Sequence, residues 1–204
     1  GQLCNSAHAS NVLDLDRDMP GGCWDLLPMT LYRSYAHHGW SNNGVRQPYA
    51  SIYSSLGCPY ACSFCMIQAP FREGDYQVFK GKANSYRTWS ADTVIKEIIT
   101  LVERYGVANI RFDDEMFVLN EAHVSAICEK IIERYGDWLN LWCYGRVDQT
   151  KEKFLEKMRR AGFKWLCLGI ESMSASVRDG VEKSEYGVED IFATVKRVKE
   201  HGIN

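Results

Sequence analysis

The sequence predicts an α/β protein built on a parallel sheet. Two observations carry that prediction. From residue 50 onward, short apolar runs alternate with helix-length amphipathic segments four times over, and such alternation implies parallel strands joined by right-handed crossovers. The acidic, basic and cysteine residues then fall just after the strands, where parallel α/β sheets gather their chemistry.

The elements follow in order. A first strand is expected over about 50–57, running into Cys58-Pro59-Tyr60-Ala61-Cys62-Ser63-Phe64-Cys65. The polar stretch after it, with Arg72, Glu73, Gly74 and Asp75, reads as irregular up to Ser90. Ser90 suits an N-cap for a helix over about 91–105 that buries Val94, Ile95, Ile98, Leu101 and Val102 and stops at Gly106. A second strand, 108–112, ends in Asp113-Asp114-Glu115. Asn120 then caps a helix with Val124, Ile127, Cys128, Ile131 and Ile132 on one face, closed by Gly136.

The third strand, 139–144, leads into Gly145-Arg146-Val147-Asp148. A helix over about 151–161 uses Phe154, Leu155 and Met158 and ends at Gly162. The fourth strand, 164–170, ends at Glu171-Ser172. The last helix, about 188–201, is expected to bury Ile191, Phe192, Val195 and Val198, and Ile203 to open a fifth strand.

Residues 1–49 differ. Pro20-Gly21-Gly22 breaks any regular element, and Ser41-Asn42-Asn43-Gly44 has turn chemistry. The tryptophan and tyrosine residues of 24–53 read as packing against a neighbour, and the segment as a linker between domains. The chain opens on Gly1 and stops at Asn204, where a helix gives way to a strand, so further protein is expected on both sides.

Composition narrows the class. With 204 residues, 46% hydrophobic and 25% charged, the chain can bury a core of its own. A net charge of -2 gives no drive toward nucleic-acid phosphates or acidic membranes. No apolar run approaches the roughly 20 residues that cross a bilayer, and no secretory signal opens the chain. Eight cysteines, three of them clustered with metal-site spacing, fit a reducing compartment, and the cytoplasm is the expected location.

Cys58, Cys62 and Cys65 form a C-x3-C-x2-C triplet directly after a strand. Disulfide or plain core cysteine does not account for three such residues within eight positions. Three thiolates hold an iron–sulfur cluster while leaving one iron without a protein ligand, whereas electron-transfer clusters are normally closed by four. Zinc is the rival, with His37 or His38 completing a Cys3His set, although structural zinc ligands usually come as two pairs.

This triplet, with Phe64 before its last cysteine, resembles the signature of the radical S-adenosylmethionine (SAM) superfamily, from about residue 50 to the end. The resemblance implies a partial (βα) barrel with parallel strands, truncated after about four βα units, and an enzyme. A 4Fe–4S cluster on Cys58, Cys62 and Cys65 would cleave SAM reductively to a 5′-deoxyadenosyl radical, for methyl transfer or radical modification of an unknown substrate. It implies a small-molecule substrate and an external electron donor of the flavodoxin or ferredoxin type. Phe64 would offer its backbone to adenine. Asp113-Asp114-Glu115 stands where members often carry Gly-Gly-Glu, which leaves open which acid holds the SAM amino group. By position, Glu171 and Ser172 reach the ribose and Arg146 the methionine carboxylate.

Ile110 to Phe117, and Leu168 to Ser172 followed by Lys183, resemble the cobalamin-linked and methylthiotransferase-like branches. Leu13 to Pro20 and Trp24 to Pro28 look like the linker after a cobalamin-binding domain, so 1–49 is read as that linker and 50–204 as the partial core. His37-His38-Gly39 is not the D-x-H-x-x-G cobalamin signature, so cobalamin is a cofactor only through a preceding domain.

Plainer readings stand beside these. Asp113 and Asp114 also suit caps of the turn into the next helix, and Arg146 a structural ion pair. Cys128, Cys143 and Cys167 fit core positions, and His123 a helix surface. Cys4 and Cys23 are assigned nothing. The alternatives in function are a methylthiotransferase acting on tRNA or a ribosomal protein, and a non-enzymatic zinc or iron–sulfur module. The first predicts a second cysteine triplet upstream and a small RNA-binding barrel downstream, neither visible in this sequence.

Overall fold

The computed structural model describes residues 12–34, 48–60, 62–67, 86–183 and 185–204. The predicted turn at 41–44, the polar stretch 72–75, His37, His38 and Cys4 lie outside them. In chain order the elements are α1 (Leu15–Asp18), β1 (Tyr49–Ile52), β2 (Ser55–Leu56), β3 (Arg87–Thr88), α2 (Ala91–Tyr105), β4 (Asn109–Phe112), α3 (Glu121–Tyr135), β5 (Asn140–Arg146), α4 (Glu152–Arg160), β6 (Phe163–Gly169), α5 (Ala175–Gly180) and α6 (Val188–Glu200).

β1, β4, β5 and β6 form one parallel sheet in that spatial order, the open run of neighbours expected from successive βα units. After α6 the chain returns beside β6. Asn204 N donates to Lys164 O and Leu166 N donates to Asn204 O, both at 2.8 Å, along the edge of β6 where the fifth strand is expected.

The predicted first strand is two pieces. β1 ends at Ile52, and β2 pairs antiparallel with β3 in a separate two-stranded ribbon. The break falls at Ser54, which is fully buried and gives its N–H to a side chain, Asp114, instead of a neighbouring strand. A ladder cannot continue through a residue whose donor is spent elsewhere.

The helix signals are met at their ends. Ser90 Oγ accepts Thr93 N at 3.2 Å to start α2, and Gly106 at φ +67° stops it. Asn120 Oδ1 accepts His123 N at 3.2 Å to start α3. Val94, Ile98 and Leu101 on α2 and Val124, Ile127, Cys128 and Ile131 on α3 are buried, with Ile95, Val102 and Ile132 half-buried at the edges of the stripes. Phe112, Phe117 and Phe163 stack at centroid distances of 4.7 to 5.4 Å in the core against the sheet. Gly162, at φ +94°, lets the chain turn into β6, because a Cβ there would sit 2.5 Å from Leu139 O.

One expectation is corrected. On α6 the buried stripe is Ile191, Thr194 and Val198, and Phe192 and Val195 face outward at 64% and 38% exposure. They sit one position off the stripe, about 100° round the helix. α5 has too few apolar residues to announce itself; its anchor is Arg178, which is 1% exposed and donates to Ser172 O and Tyr186 O. The described part of 1–49 is strapped onto the α/β unit. Leu15 and Met29 join its core, Trp89 Nε1 donates to Met19 O, and Glu97 accepts from Gly22 N and Trp24 Nε1.

Candidate active site

A cleft of about 450 Å³ opens at the carboxyl ends of β4, β5 and β6, and the cysteine loop forms one wall. Cys58, Cys62, Phe64, Cys65, Asp113, Asp114, Glu115, Arg146 and Glu171 all line it. So do Tyr60, Tyr144, Cys167 and Lys183. Ser172 is the one predicted site residue outside the lining. Its Oγ accepts Ser174 N and its carbonyl accepts from Arg178, which ties it into the α5 loop.

The loop is fixed at three points. Gly57 N donates to Glu115 Oε2 at 3.0 Å, Cys65 N to Cys62 O at 3.0 Å, and Ser63 N to Val181 O at 3.4 Å. Cys58 and Cys62 are buried, Cys65 is half-buried, and none of the three is in a disulfide. Burial pushes the Cys58 thiol up to about 11. It also raises Cys62, against the pull of the nearby Arg146 and Lys183 cations. Metal ligation needs thiolates, so loading this site expels protons.

The three consecutive acids have separate tasks. Asp114 is fully buried and accepts from Ser54 N (3.1 Å), Ser54 Oγ (2.7 Å) and Ser55 Oγ (2.5 Å). Burial outweighs those bonds and lifts its carboxyl to about 6. This carboxyl holds the cysteine loop's entry to the end of β4. Asp113 forms an ion pair with Arg111, and burial raises its carboxyl. Arg111 in turn stacks on Trp142 and Tyr144 and donates to Tyr144 Oη. Glu115 spends one oxygen on Gly57 N.

Arg146, at the end of β5, is 4% exposed. Nε donates to Asp148 Oδ1 at 2.9 Å and one terminal nitrogen to Glu185 Oε2 at 2.7 Å. The other terminal nitrogen lies 3.7 Å from Cys62 Sγ, and the guanidinium covers the Tyr60 ring at 3.8 Å. The ion-pair reading of Arg146 therefore holds. Across the cleft, Lys183 Nζ donates to Glu171 Oε1 at 2.6 Å. Gly169 leaves the space for that ammonium, since a Cβ there would lie 2.8 Å from Nζ.

Two bland expectations are corrected. His123 is not a surface residue: Nε2 lies 3.2 Å from both Ser54 O and Ser54 Oγ, and burial lowers its pKa. Cys167 is exposed and lines the cleft, because it points to the sheet face away from the helices. Cys128 and Cys143 are buried as expected.

Among the described residues, no three His, Cys, Asp or Glu groups converge on a single metal-ion position. The donor set is instead three thiols around one cleft with two buried cations, Arg146 and Lys183, beside them. An anionic iron–sulfur cluster distributes its thiolates over different irons, so this arrangement fits one. Sequence reasoning placed Asp148 beside Arg146 after the third strand but missed Tyr60 and Glu185, the other partners of Arg146, and the role of Lys183. Lys183 did carry a signal, as the basic residue following Glu171-Ser172. Among the described residues no helix is long and apolar enough to cross a membrane.

Comparison with known proteins agrees with this fold. The chain is 29% identical over its whole length to the uncharacterized methyltransferase PH0819 of Pyrococcus horikoshii, covering 39% of that protein. It is 29% identical over 94% of its length to the anaerobic magnesium-protoporphyrin IX monomethyl ester cyclase of Rubrivivax gelatinosus, covering 31% of it. The chain thus spans less than two-fifths of these relatives. Among solved structures, the radical SAM methyltransferase TsrM of Kitasatospora setae, with cobalamin and a [4Fe–4S] cluster bound, matches 76% of this chain and 29% of its own at a TM-score of 0.62 and 24% identity, a likeness of fold. The sequence profile of the Radical SAM superfamily matches residues 52–204, and the chain belongs to that superfamily.

Proposed function

We propose that the chain is the catalytic core of an enzyme that uses SAM and a 4Fe–4S cluster to transfer a methyl group to a small-molecule substrate. Three cysteine thiols sharing one cleft with acids and buried cations, at the carboxyl edge of the sheet, carry the reading. Cys58, Cys62 and Cys65 would hold the cluster. When bound, it supplies one electron to the sulfonium of SAM, whose C5′–S bond breaks to give methionine and a 5′-deoxyadenosyl radical. The family uses such cofactors for hard chemistry, while the protein orients them and excludes water.

The residues around the cleft divide the remaining work. Glu115 is the acid proposed for the SAM amino group, since Asp114 is committed to Ser54 and Ser55 and Asp113 to Arg111. The Phe64 backbone is assigned to adenine and Glu171 to the ribose. An external one-electron donor of flavodoxin or ferredoxin type would reduce the cluster. The TsrM structure holds cobalamin. A cobalamin-binding domain preceding residues 1–49 would present that cofactor to the same cleft as carrier of a methyl group from a second SAM, whose S–CH3 bond would break to leave S-adenosylhomocysteine. The 5′-deoxyadenosyl radical from the first would take the substrate hydrogen that the methyl replaces.

The cyclase relative favours a second outcome, in which the radical abstracts hydrogen from the substrate and no methyl group moves. The full-length protein decides. Anaerobic reconstitution with iron and sulfide should give about four irons per chain and visible charge-transfer absorption. Methyl-deuterated SAM then separates the outcomes, because the label reaches the product only in methyl transfer. Stoichiometric zinc without that absorption would overturn the cluster reading.

A further inference from the structure

Arg146 was expected to meet the methionine carboxylate. Its surroundings give it a different task. A cation with only 4% of its side chain exposed must be paired on nearly every side. Two edges of the guanidinium are taken by Asp148 and Glu185, and its face by Tyr60. The remaining nitrogen lies 3.7 Å from Cys62 Sγ.

Resting on the reading of Cys58, Cys62 and Cys65 as cluster ligands, we infer that Arg146 is a positioning residue that sets the cluster's reduction potential through its N–H to the Cys62 sulfur. Reduction adds one negative charge to a cluster that is already anionic with three thiolates. A donor to a ligand sulfur and a fixed positive charge both favour the reduced form and raise the potential. Arginine suits the task because its charge is permanent and its planar fork can be held by two carboxylates while the third direction stays on the sulfur. Asp148 and Tyr60 hold the fork in place. Glu185, whose side chain is half-exposed, offsets part of the charge.

The test is an EPR-monitored redox titration, without SAM, of the full-length protein reconstituted anaerobically, with iron content measured on each sample. Arg146→Gln should shift the midpoint to more negative values. Arg146→Lys, which keeps the charge and loses the fork, should fall between Gln and wild type. Glu185→Gln should shift the midpoint the opposite way, since it leaves Arg146 in place with less of its charge offset. This variant decides the matter if the Arg146 variants do not fold. Cluster-loaded variants that all titrate with wild type overturn the inference. So does an Arg146→Gln protein of unchanged midpoint whose reduced-cluster EPR signal no longer responds to SAM, which would make Arg146 a SAM ligand. Wild-type protein that takes up no cluster overturns the underlying reading and this inference with it.

Discussion

The Asp114 carboxylate accepts both the backbone N–H and the hydroxyl of Ser54, with the hydroxyl at 2.7 Å. It thereby binds the end of β4 to the chain entering the cysteine loop. Asp114→Ala would leave buried donors on Ser54 and Ser55 without their acceptor. We expect a loss of about 3 kcal/mol in urea denaturation, the scale of a few unsatisfied buried donors. Asp113→Ala, which removes a partly exposed ion pair, should cost about 1 kcal/mol or less.

The same carboxyl predicts a pH dependence. Its folded pKa is raised from 3.8 to about 6 by burial, so the native state holds the proton more tightly than the unfolded chain does. The stability this gives is fully present below about pH 4 and is lost as pH rises through about 6, roughly 3 kcal/mol in all. Asp114→Asn cannot titrate. Chemical denaturation of both proteins between about pH 4 and 8 should show wild type losing stability relative to Asn up to about pH 6, then running parallel to it. A constant difference would mean that Asp114 does not titrate in this range.

Much of this fold was legible because its signals are local. Ser90, Gly106 and Asn120 end their helices through bonds to residues a few positions away, and the stripes on α2 and α3 follow a 3.6-residue period. The cysteine triplet was legible for the same reason. The illegible parts depend on partners distant in sequence. Nothing in Asp113-Asp114-Glu115 says that the middle acid is spent on Ser54, 60 residues away, or that His123 turns back onto the same serine. Arg146 could be placed at a strand end, but its environment comes from Cys62 and Glu185, 84 and 39 residues away. Phe192 and Val195 failed differently. They are apolar and near the stripe, and exposure there depends on a rotation that spacing alone resolves poorly.

The cysteines separate by place. Cys58→Ala, Cys62→Ala and Cys65→Ala should each lose most of the iron after reconstitution while keeping their helical circular dichroism, because each removes one of the three proposed ligands from a loop outside the main core. Cys143→Ala, fully buried in that core, should keep its iron and lose about 1–2 kcal/mol of stability. Cys167→Ala should change neither.

Gly162→Ala tests the turn into β6. At φ +94° an L side chain is strained, and its Cβ would meet Leu139 O at 2.5 Å, a backbone atom that cannot swing aside. We expect a loss of about 2–4 kcal/mol by thermal or urea unfolding. Gly169→Ala makes a similar contact at 2.8 Å, but with the Lys183 ammonium at the end of a flexible chain, and should cost about 1 kcal/mol or less.

Glu115 carries the assignment of the SAM amino group by elimination, and a charge-only substitution tests it. Glu115→Gln keeps an acceptor for Gly57 N, so the cysteine loop retains its anchor, and loses the negative charge that an ammonium would meet. A hydrogen bond between charged partners contributes about 1.5–3 kcal/mol, so SAM binding to the cluster-loaded protein should weaken by about 10- to 100-fold in equilibrium dialysis. Iron content and unfolding midpoint should stay near wild type. Asp114→Asn is the control, because a carboxyl already shared between Ser54 and Ser55 has nothing left to offer a ligand. If Asp114→Asn weakens SAM binding and Glu115→Gln does not, the two acids have exchanged roles.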